Sequence, residues 1–398
     1  MTVAVTDMPR DNVKPAYWSG VFAMTLCVFA LIASEFLPVS LLTPLAADLS
    51  VTEGMAGQGI AISGAFAVLT SLFIPLLAGN LDRKTLLLAL TALMGASGAI
   101  VALAPGYGIY MLGRALLGVV IGGFWSMSAA IAIRLVPSEK VPRALAIFNS
   151  GNALAAVIAV PLGAYLGAVI GWRGAFLCLV PVAAIAFVWQ WLSLPAMPVA
   201  SAVRGPANVF RLLKQPLHLL GMLAVGMFFM GQFALFTFIR PFLETVTAVA
   251  VPTLSAMFFV LGIAGLIGTV FIGGLLQRNL YRMLIVMPLL MAVTALALIA
   301  FGSSVAAVFV LLGFWGLVAT AAPVGWWAWL AKSVPQNAEA GGGLMVAVIQ
   351  LAIAVGSTMG GVLFDAGGYQ IAFVASALLL LLAAVLAALT ARRAVTLQ

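Results

Sequence analysis

Charged residues are scarce in this sequence. Asp, Glu, Lys and Arg make up 7% of its 398 residues, whereas apolar residues make up 65%. A soluble globular domain carries about 25% charged residues, so the polar residues here cannot cover the surface of a soluble multidomain enzyme. High hydrophobicity without low-complexity runs also excludes a disordered chain. The composition therefore indicates an integral membrane protein.

Residues that commonly build catalytic and metal sites are also few. The chain has one histidine, His218, and two cysteines, Cys27 and Cys178, which argues against a metal site. Both cysteines fall in apolar runs, which predicts free buried thiols rather than a disulfide. A phosphate loop of the form G-x-x-x-x-G-K-S/T, a zinc pattern and a nucleophile–base set are missing. We therefore expect no enzymatic activity and no cofactor, and an ion gradient rather than ATP as the energy source.

Long apolar runs fill most of the chain. A membrane helix needs roughly 20 apolar residues, and continuous runs argue against an alternating β-barrel. The sequence predicts an all-α membrane protein with twelve transmembrane helices in two six-helix bundles. The predicted helices are 18–43, 54–80, 84–104, 107–133, 144–168, 174–194, 216–241, 252–276, 282–301, 305–330, 340–364 and 369–391.

The basic residues fit this count. They form no tract, so the net charge of +8 does not indicate a nucleic-acid partner. Placing both termini in the cytoplasm puts most of the 18 basic residues on that side, as the positive-inside rule requires. These are Arg10, Lys14, Arg83, Lys84, Arg134, Lys140, Arg143, Arg204, Arg211, Lys214, Arg278, Arg282, Lys332, Arg392 and Arg393.

A polar connection divides the chain. The predicted organisation is an N-terminal bundle over 1–195, a cytoplasmic linker over 196–215 and a C-terminal bundle over 216–398. Matches between the halves at nearly one offset indicate an internal duplication: 134–137 with 332–335, Asn152 with Gln350, and 171–176 with 368–373. Parallel repeats of this kind are a transporter architecture with a substrate site near the midplane, between the halves.

Two charges lie clearly inside predicted helices. Glu35 and Arg114 are about 8 and 7 residues from the outer ends of their helices, so each lies roughly 11–12 Å below the surface. One interpretation is a structural ion pair between two helices. The other is a proton-coupling pair. Burial favours a neutral carboxyl group, whereas a nearby cation favours the charged one, so moving the arginine or adding a polar solute would bind or release a proton.

Other polar and aromatic residues predict a substrate cavity. Gln232, Phe236 and Arg240 share one helix face by their spacing. Amides in mid-membrane either bond helices together or line a shared cavity, and tryptophans could stack on a flat solute. The predicted lining is Trp125, Asn149, Asn152, Gln232, Phe236, Arg240, Trp326 and Gln350. His218 is expected at the membrane interface, and Trp329 in the interfacial belt.

Short motifs resemble the major facilitator superfamily. The segment 79–84, G-N-L-D-R-K, is similar to its inner-loop motif G-x-L-x-D-R-x-G-R-R, although the spacing of the first glycine differs and the later residues are missing. The resemblance implies a gating loop around Asp82 and Arg83. The segment 114–118 resembles the R-x-x-x-G motif associated with proton coupling, and 171–176 resembles the G-W-R-x-x-F turn of exporting members.

A narrower resemblance, to the purine-ribonucleoside exporters of that superfamily, covers almost the whole chain. It implies a proton antiporter that exports inosine, adenosine and guanosine by alternating access, as a monomer in a bacterial inner membrane. The alternatives are an exporter of sugars or amphipathic drugs, or a membrane receptor or scaffold that does not transport. The strings that carry it are 35–44, 122–128, 134–137, 231–234, 240–241, 323–326 and 346–352.

Overall fold

The protein is helical throughout the part that its structure, a computed structural model, describes: residues 16–79, 81–137, 140–198, 212–334 and 338–395. Most of the predicted linker, together with Arg10, Lys14, Arg204 and Arg211, lies outside these ranges. The helices are α1 (Trp18–Asp48), α2 (Glu53–Ala78), α3 (Arg83–Ala102), α4 (Tyr107–Arg134), α5 (Val141–Val169), α6 (Gly171–Leu177), α7 (Leu179–Ser193), α8 (Pro216–Phe236), α9 (Ile239–Thr245), α10 (Val251–Phe301), α11 (Val305–Ser333) and α12 (Ala338–Val395).

Among the described residues, ten helical stretches are long and apolar enough to cross a membrane. Two of these stretches each consist of two consecutive helices, α6 with α7 and α8 with α9. The predicted helices 174–194 and 216–241 are therefore each interrupted. The second interruption lies at Thr237 and Phe238, where Thr237 donates its hydroxyl to the carbonyl oxygen of Phe233 at 2.8 Å.

Two helices are long enough for two crossings each. Helices α10 and α12 contain 51 and 58 residues, or roughly 75–90 Å at 1.5 Å per residue, against a hydrocarbon core of about 30 Å. Non-helical backbone interrupts α10 at Asn279 and α12 at Gly367 and Gly368. Gly368 has a φ of 75°, which a residue with a Cβ rarely adopts. Both breaks fall between predicted helices, although neither forms a separate loop.

The molecule has two ends, each of which is named here after one residue. At one end, called here the Thr52 end, Gly54 of α2 approaches Gly361 and Asp365 of α12. At the other, the Asp82 end, Asp82 precedes α3 and Pro216 begins α8. Helix α1 packs against α2, α5 and α7, and also against α9 from the second half of the chain.

Glycines allow several helix pairs to touch backbone to backbone. A Cβ at Gly118 or Gly122 of α4 would lie 2.3 or 2.2 Å from the carbonyl oxygens of Ser63 and Ala67 in α2. These two glycines therefore let α4 contact the backbone of α2 directly. Helix α12 meets α8 in the same way, since a Cβ at Gly356 or Gly360 would lie 2.4 Å from a carbonyl oxygen of α8.

Candidate functional site

Glu35 lies at the contact between the two halves of the chain. Its side chain is 4% exposed, and its Oε1 accepts a hydrogen bond of 3.3 Å from Nε2 of Gln350 in α12. A Cβ on Gly64 of α2 would lie 2.8 Å from the carbonyl oxygen of Gln350, so α2 and α12 approach closely beside this pair. The structure therefore joins a buried carboxyl group of α1 to an amide of α12.

Arg114 binds main-chain oxygens rather than the Glu35 carboxylate. Its guanidinium is fully buried and donates to the carbonyl oxygens of Ser34 at 2.6 Å, Gly59 at 2.9 Å and Glu35 at 3.0 Å. A fourth bond, of 3.2 Å, reaches the hydroxyl of Ser63. Within the described ranges the two ion pairs are Arg173–Asp48 and Arg240–Glu244. Arg114 thus contacts Glu35, as its depth suggests, but forms no ion pair with its carboxylate.

Proline explains why Arg114 binds Ser34. In an α-helix the N–H of residue i donates to the carbonyl of residue i−4, and proline has no N–H. Pro38 lies inside α1 and leaves the carbonyl of Ser34 without its helical donor. A freed carbonyl in the membrane must find another donor, and the Arg114 guanidinium supplies it.

A second arginine donates to the carbonyl oxygen that a second proline of α1 leaves without its helical donor. Pro44 leaves the carbonyl of Ser40 without a helical donor, and Arg240 of α9 donates to that oxygen across the two halves of the chain. Arg240 is 4% exposed and also donates to Oε1 of Glu244 at 2.8 Å. The sequence places Arg240 in the substrate cavity, whereas the structure shows it bonded to α1 and to its own helix.

Aromatic rings face one another beside the Glu35–Gln350 pair. Phe36 of α1 stacks on Phe233 of α8 with ring centroids 5.6 Å apart, and Phe233 meets Phe236 edge-on at 5.9 Å. Gln232 precedes this pair and its Oε1 is buried without a hydrogen-bond partner among the described residues. An unpaired buried amide oxygen is costly, so a ligand that donated to it would be favoured here.

The predicted lining on α4 and α5 is more open. Trp125 is half-buried and packs edge-on against Phe148 at 6.1 Å. Asn149 and Asn152 are exposed, and Asn149 donates to the carbonyl oxygen of Leu145 in its own helix at 2.9 Å. Asn152 and Gln350, which the proposed repeat relates, therefore differ in burial, since Asn152 is exposed and Gln350 is buried.

The second half of the chain buries Trp326, which was predicted in the substrate cavity, and also Trp329 and His218, which were predicted near the membrane surface. Trp326 and Trp329 are 1% and 0% exposed, with ring centroids 6.3 Å apart. The ring of Trp329 fills the space left by Gly221 of α8, so this residue packs between helices and does not face the lipid headgroups. His218 is also buried, and its Nε2 lies 3.1 Å from the carbonyl oxygen of Ser333. Cys27 and Cys178 are free, as predicted, but Cys178 is exposed.

Sequence reasoning missed a polar contact at the Thr52 end. Asp365 of α12 accepts hydrogen bonds from the Thr52 hydroxyl at 2.6 Å and from the Gly54 N–H at 3.1 Å, at the start of α2. The helix dipole favours a carboxylate at this position. Thr358 of α12 also donates to Oε1 of Gln58 at 3.0 Å. Polar residues in otherwise apolar runs were the available signal for both contacts.

The predicted gating loop is tied to the first half of the chain. Asp82 caps α3 by accepting from the N–H groups of Lys84 and Thr85 at 2.8 and 3.3 Å. Its other carboxylate oxygen accepts from the Met197 N–H at 2.6 Å, and the Arg83 N–H donates to the Met197 carbonyl at 3.1 Å. Met197 was not predicted, since nothing in its sequence context marks it. In the parts of the chain described, no group of three His, Cys, Asp or Glu side chains could hold a metal ion.

These features define a multi-pass, all-helical membrane protein whose two halves meet at a buried carboxyl group. The model of the Major Facilitator Superfamily matches residues 24–345. The chain belongs to this superfamily of membrane transporters.

Two curated relatives match almost the full length. One, named Transcription regulatory protein OpdE, from Pseudomonas aeruginosa, is 64% identical over 396 residues and 98% of each chain. Another, named Purine ribonucleoside efflux pump NepI, from Salmonella typhimurium, is 40% identical over 382 residues and 96% of each chain.

Solved transporter structures share the fold. A bacterial homologue of the human lysosomal transporter Spinster, in an inward-facing and unoccupied conformation, has a TM-score of 0.79 at 16% identity and covers 95% of this chain and 98% of its own. The human organic anion transporter MFSD10 has a TM-score of 0.67 at 18% identity and covers 94% of this chain and all of its own.

Proposed function

We propose that the protein exports purine ribonucleosides such as inosine, adenosine and guanosine from a bacterium in exchange for protons. It would do so by alternating access, with twelve membrane helices in bundles over 1–195 and 216–398 and with both termini in the cytoplasm. The breaks in α10 and α12 support the count of twelve, because each divides a helix too long for one crossing.

The observation that carries the proposal is the bond between Glu35 and Gln350. An ionised carboxylate only accepts hydrogen bonds, whereas a neutral carboxyl group can also donate. A change of protonation at Glu35 therefore alters a contact between the two halves. Movement of the halves in turn alters the surroundings of Glu35. Protonation and movement of the halves are then coupled, as the exchange of a solute for protons requires.

The surrounding groups suit a nucleoside. A flat base can stack on aromatic rings, and Phe36 and Phe233 present such rings at the contact between the halves. Ribose hydroxyls and base edges need polar partners, and Gln232 has an unpaired oxygen. The name of the relative at 40% identity supports this substrate class.

The Thr52 end would face the periplasm and is closed in this structure. Three contacts hold it: Asp365 with the start of α2, Thr358 with Gln58, and Arg240 with Ser40. Similarity to an inward-facing transporter supports the same assignment. The Asp82 end would then be cytoplasmic, which agrees with its basic residues.

Transport in proteoliposomes tests the proposal. Proteoliposomes that contain the purified protein should accumulate labelled inosine against its gradient when a proton gradient of the correct sign is imposed. They should not accumulate labelled sugars or amphipathic drugs under the same conditions. Glu35→Gln should abolish accumulation but allow downhill exchange. Glu53→Gln, which changes a carboxylate at the start of α2, is the matched control and should accumulate inosine normally. Wild-type accumulation by Glu35→Gln would reject Glu35 as the proton carrier.

A second candidate is a membrane-embedded regulator that does not transport. The name of the relative at 64% identity favours it. Such a regulator could act on expression by binding a solute or by contacting another protein. If proteoliposomes move no solute while deletion of the gene changes transcription in a way that Glu35→Gln still complements, the regulatory function is the correct one.

A further inference from the structure

A basic cavity of about 610 Å³ opens at the break in α10. It lies at the Asp82 end, where α8 begins at Pro216. Trp329 packs on Gly221 in the first turns of α8, and Lys332 follows it by three residues. The substrate contacts described above do not involve it. Its lining comes from α10 and α11 and includes Gln277, Arg278, Asn279, Tyr281, Arg282 and Lys332.

The charge of this lining has one sign. Arg278, Arg282 and Lys332 all line the cavity, and none of the other described side chains in the lining is a carboxylate. Neither ion pair formed among the described residues uses any of the three cations. The ammonium group of Lys332 lies 6.0 Å from the centroid of the Tyr281 ring, which keeps this cation at the cavity wall.

The break itself adds to the positive potential. Asn279 has φ −145° and ψ 57°, so a new helical segment begins directly after it. The first residues of that segment, Leu280, Tyr281 and Arg282, line the cavity. The N-terminal end of a helix carries a partial positive charge and free N–H groups, which favour an anion. Gln277 and Asn279 add amide donors.

An apolar surface continues from the cavity along the outside of α10. Phe271 and Leu275 are 70% and 52% exposed. Together with Arg278 they are spaced four and three residues apart, which places them on one helix face. A ligand that bound its anionic group at Arg278 could therefore lay a hydrocarbon chain over Leu275 and Phe271.

We propose that this cavity binds the headgroup of an anionic phospholipid, with an acyl chain on the exposed face of α10. Inorganic phosphate and glycerol phosphate share the anionic chemistry but lack the chain. The apolar surface beside the cations argues for the lipid over these soluble anions. The site concerns the lipid around the protein and stands whether or not the protein exports nucleosides.

Native mass spectrometry of the full chain tests the site, with phosphatidylglycerol and phosphatidylcholine as probes. We expect the wild-type protein to retain phosphatidylglycerol in preference to phosphatidylcholine. The variant Arg278→Gln/Arg282→Gln/Lys332→Gln should bind phosphatidylglycerol about 150-fold more weakly, since each of the three basic residues contributes about 1 kcal/mol near an anionic lipid. Equal retention of the two lipids by the wild-type protein would overturn the proposal.

A control of equal charge separates the cavity from net charge. Arg134, Arg143 and Arg392 are exposed cations at the same end of the molecule, and changing all three to Gln should leave phosphatidylglycerol binding within about twofold. An equal loss in both triple variants would overturn the proposal in favour of general electrostatics. Single Arg282→Gln keeps the test open if the triple variant does not fold, and it should still weaken binding measurably.

Competition identifies the ligand. Millimolar inorganic phosphate or glycerol phosphate should fail to displace phosphatidylglycerol. Displacement by either would show a site for a soluble anion and overturn the lipid assignment. Lipid binding is measured without a nucleoside. A negative lipid result therefore leaves the transport proposal intact, and a negative transport result does not affect the interpretation of lipid binding.

Discussion

The guanidinium of Arg114 lies 2.6 Å from the carbonyl oxygen of Ser34, the oxygen that Pro38 deprives of its helical donor. The carbonyls of Glu35 and Gly59, which Arg114 also contacts, keep the N–H groups of Val39 and Ser63 as possible helical donors. Arg114 is therefore the replacement donor for one specific backbone group. This role stabilises α1 at Pro38, three residues from Glu35, and does not require an ion pair.

Arg114→Ala should destabilise the protein chiefly by leaving the Ser34 carbonyl unpaired. A buried unsatisfied carbonyl costs about 1–3 kcal/mol. We expect Pro38→Ala, which restores an N–H at position 38, to reduce the cost of Arg114→Ala by about 1 kcal/mol or more. Thermal unfolding of the two single variants and the double variant in one detergent measures this coupling. Additive changes would contradict the replacement-donor role, and Arg278→Ala, at an exposed site, is the control.

Arg240 should hold the Thr52 end closed through the oxygen that Pro44 frees. Pro44→Ala restores a helical donor to Ser40 and so removes the need for Arg240. We expect this variant to open the Thr52 end more often, detected as longer spin-label distances between α2 and α12 at that end. Pro38→Ala, which frees Arg114 instead, should leave those distances unchanged. Unaltered distances in Pro44→Ala would show that Arg240 does not control closure.

A disulfide should lock the same end. The Thr52 hydroxyl and the Asp365 carboxylate are 2.6 Å apart, so cysteines at both positions should face each other, and we expect oxidation to join them. In a background with Cys27 and Cys178 replaced by serine, oxidation of Thr52→Cys/Asp365→Cys should stop transport, and a reductant should restore it. Each single cysteine variant is the control. Full transport by the crosslinked protein would mean that this end need not open.

Gln350→Leu should weaken coupling, because it removes the donor to Glu35 while nearly preserving volume. We expect accumulation of inosine against its gradient to fall at least about tenfold, as for loss of a specific hydrogen bond to a charged group, which is worth about 1.5–3 kcal/mol. Thr358→Val removes a different bond between the same halves, to Gln58, and should retain coupling. Wild-type pH dependence in Gln350→Leu would assign Gln350 a structural role only.

Composition and hydropathy predicted the helices well, because burial in lipid leaves the backbone few options. The breaks in α10 and α12 fall between predicted helices, since Asn279 and Gly368 suit irregular backbone. The interruption at Thr237 was not predicted, because Thr237 and Phe238 look like continuing apolar helix. It depends on packing of Phe238 against Gly57 and Phe364, which one sequence does not reveal.

The candidate site was predicted in part. Charge and depth singled out Glu35 and Arg114, and both are buried as expected. The partner of each could not be read from the sequence, because Arg114 satisfies a backbone oxygen and Glu35 bonds an amide 315 residues away. For the same reason, the sequence did not reveal the contacts of Arg240 and Trp326. Their residue types suit a cavity, but their side chains bond to or pack against other groups.

The glycine contacts of α4 with α2, and of α12 with α8, have a mechanical consequence. At Gly118, Gly122, Gly356 and Gly360 the neighbouring main chain occupies the space of a side chain, so no compressible layer separates the helices. The two helices of each pair should then move together as one rigid body. If the halves alternate as proposed, a tilt that parts α2 from α12 at the Thr52 end would be transmitted along these rigid pairs to the opposite face of the membrane.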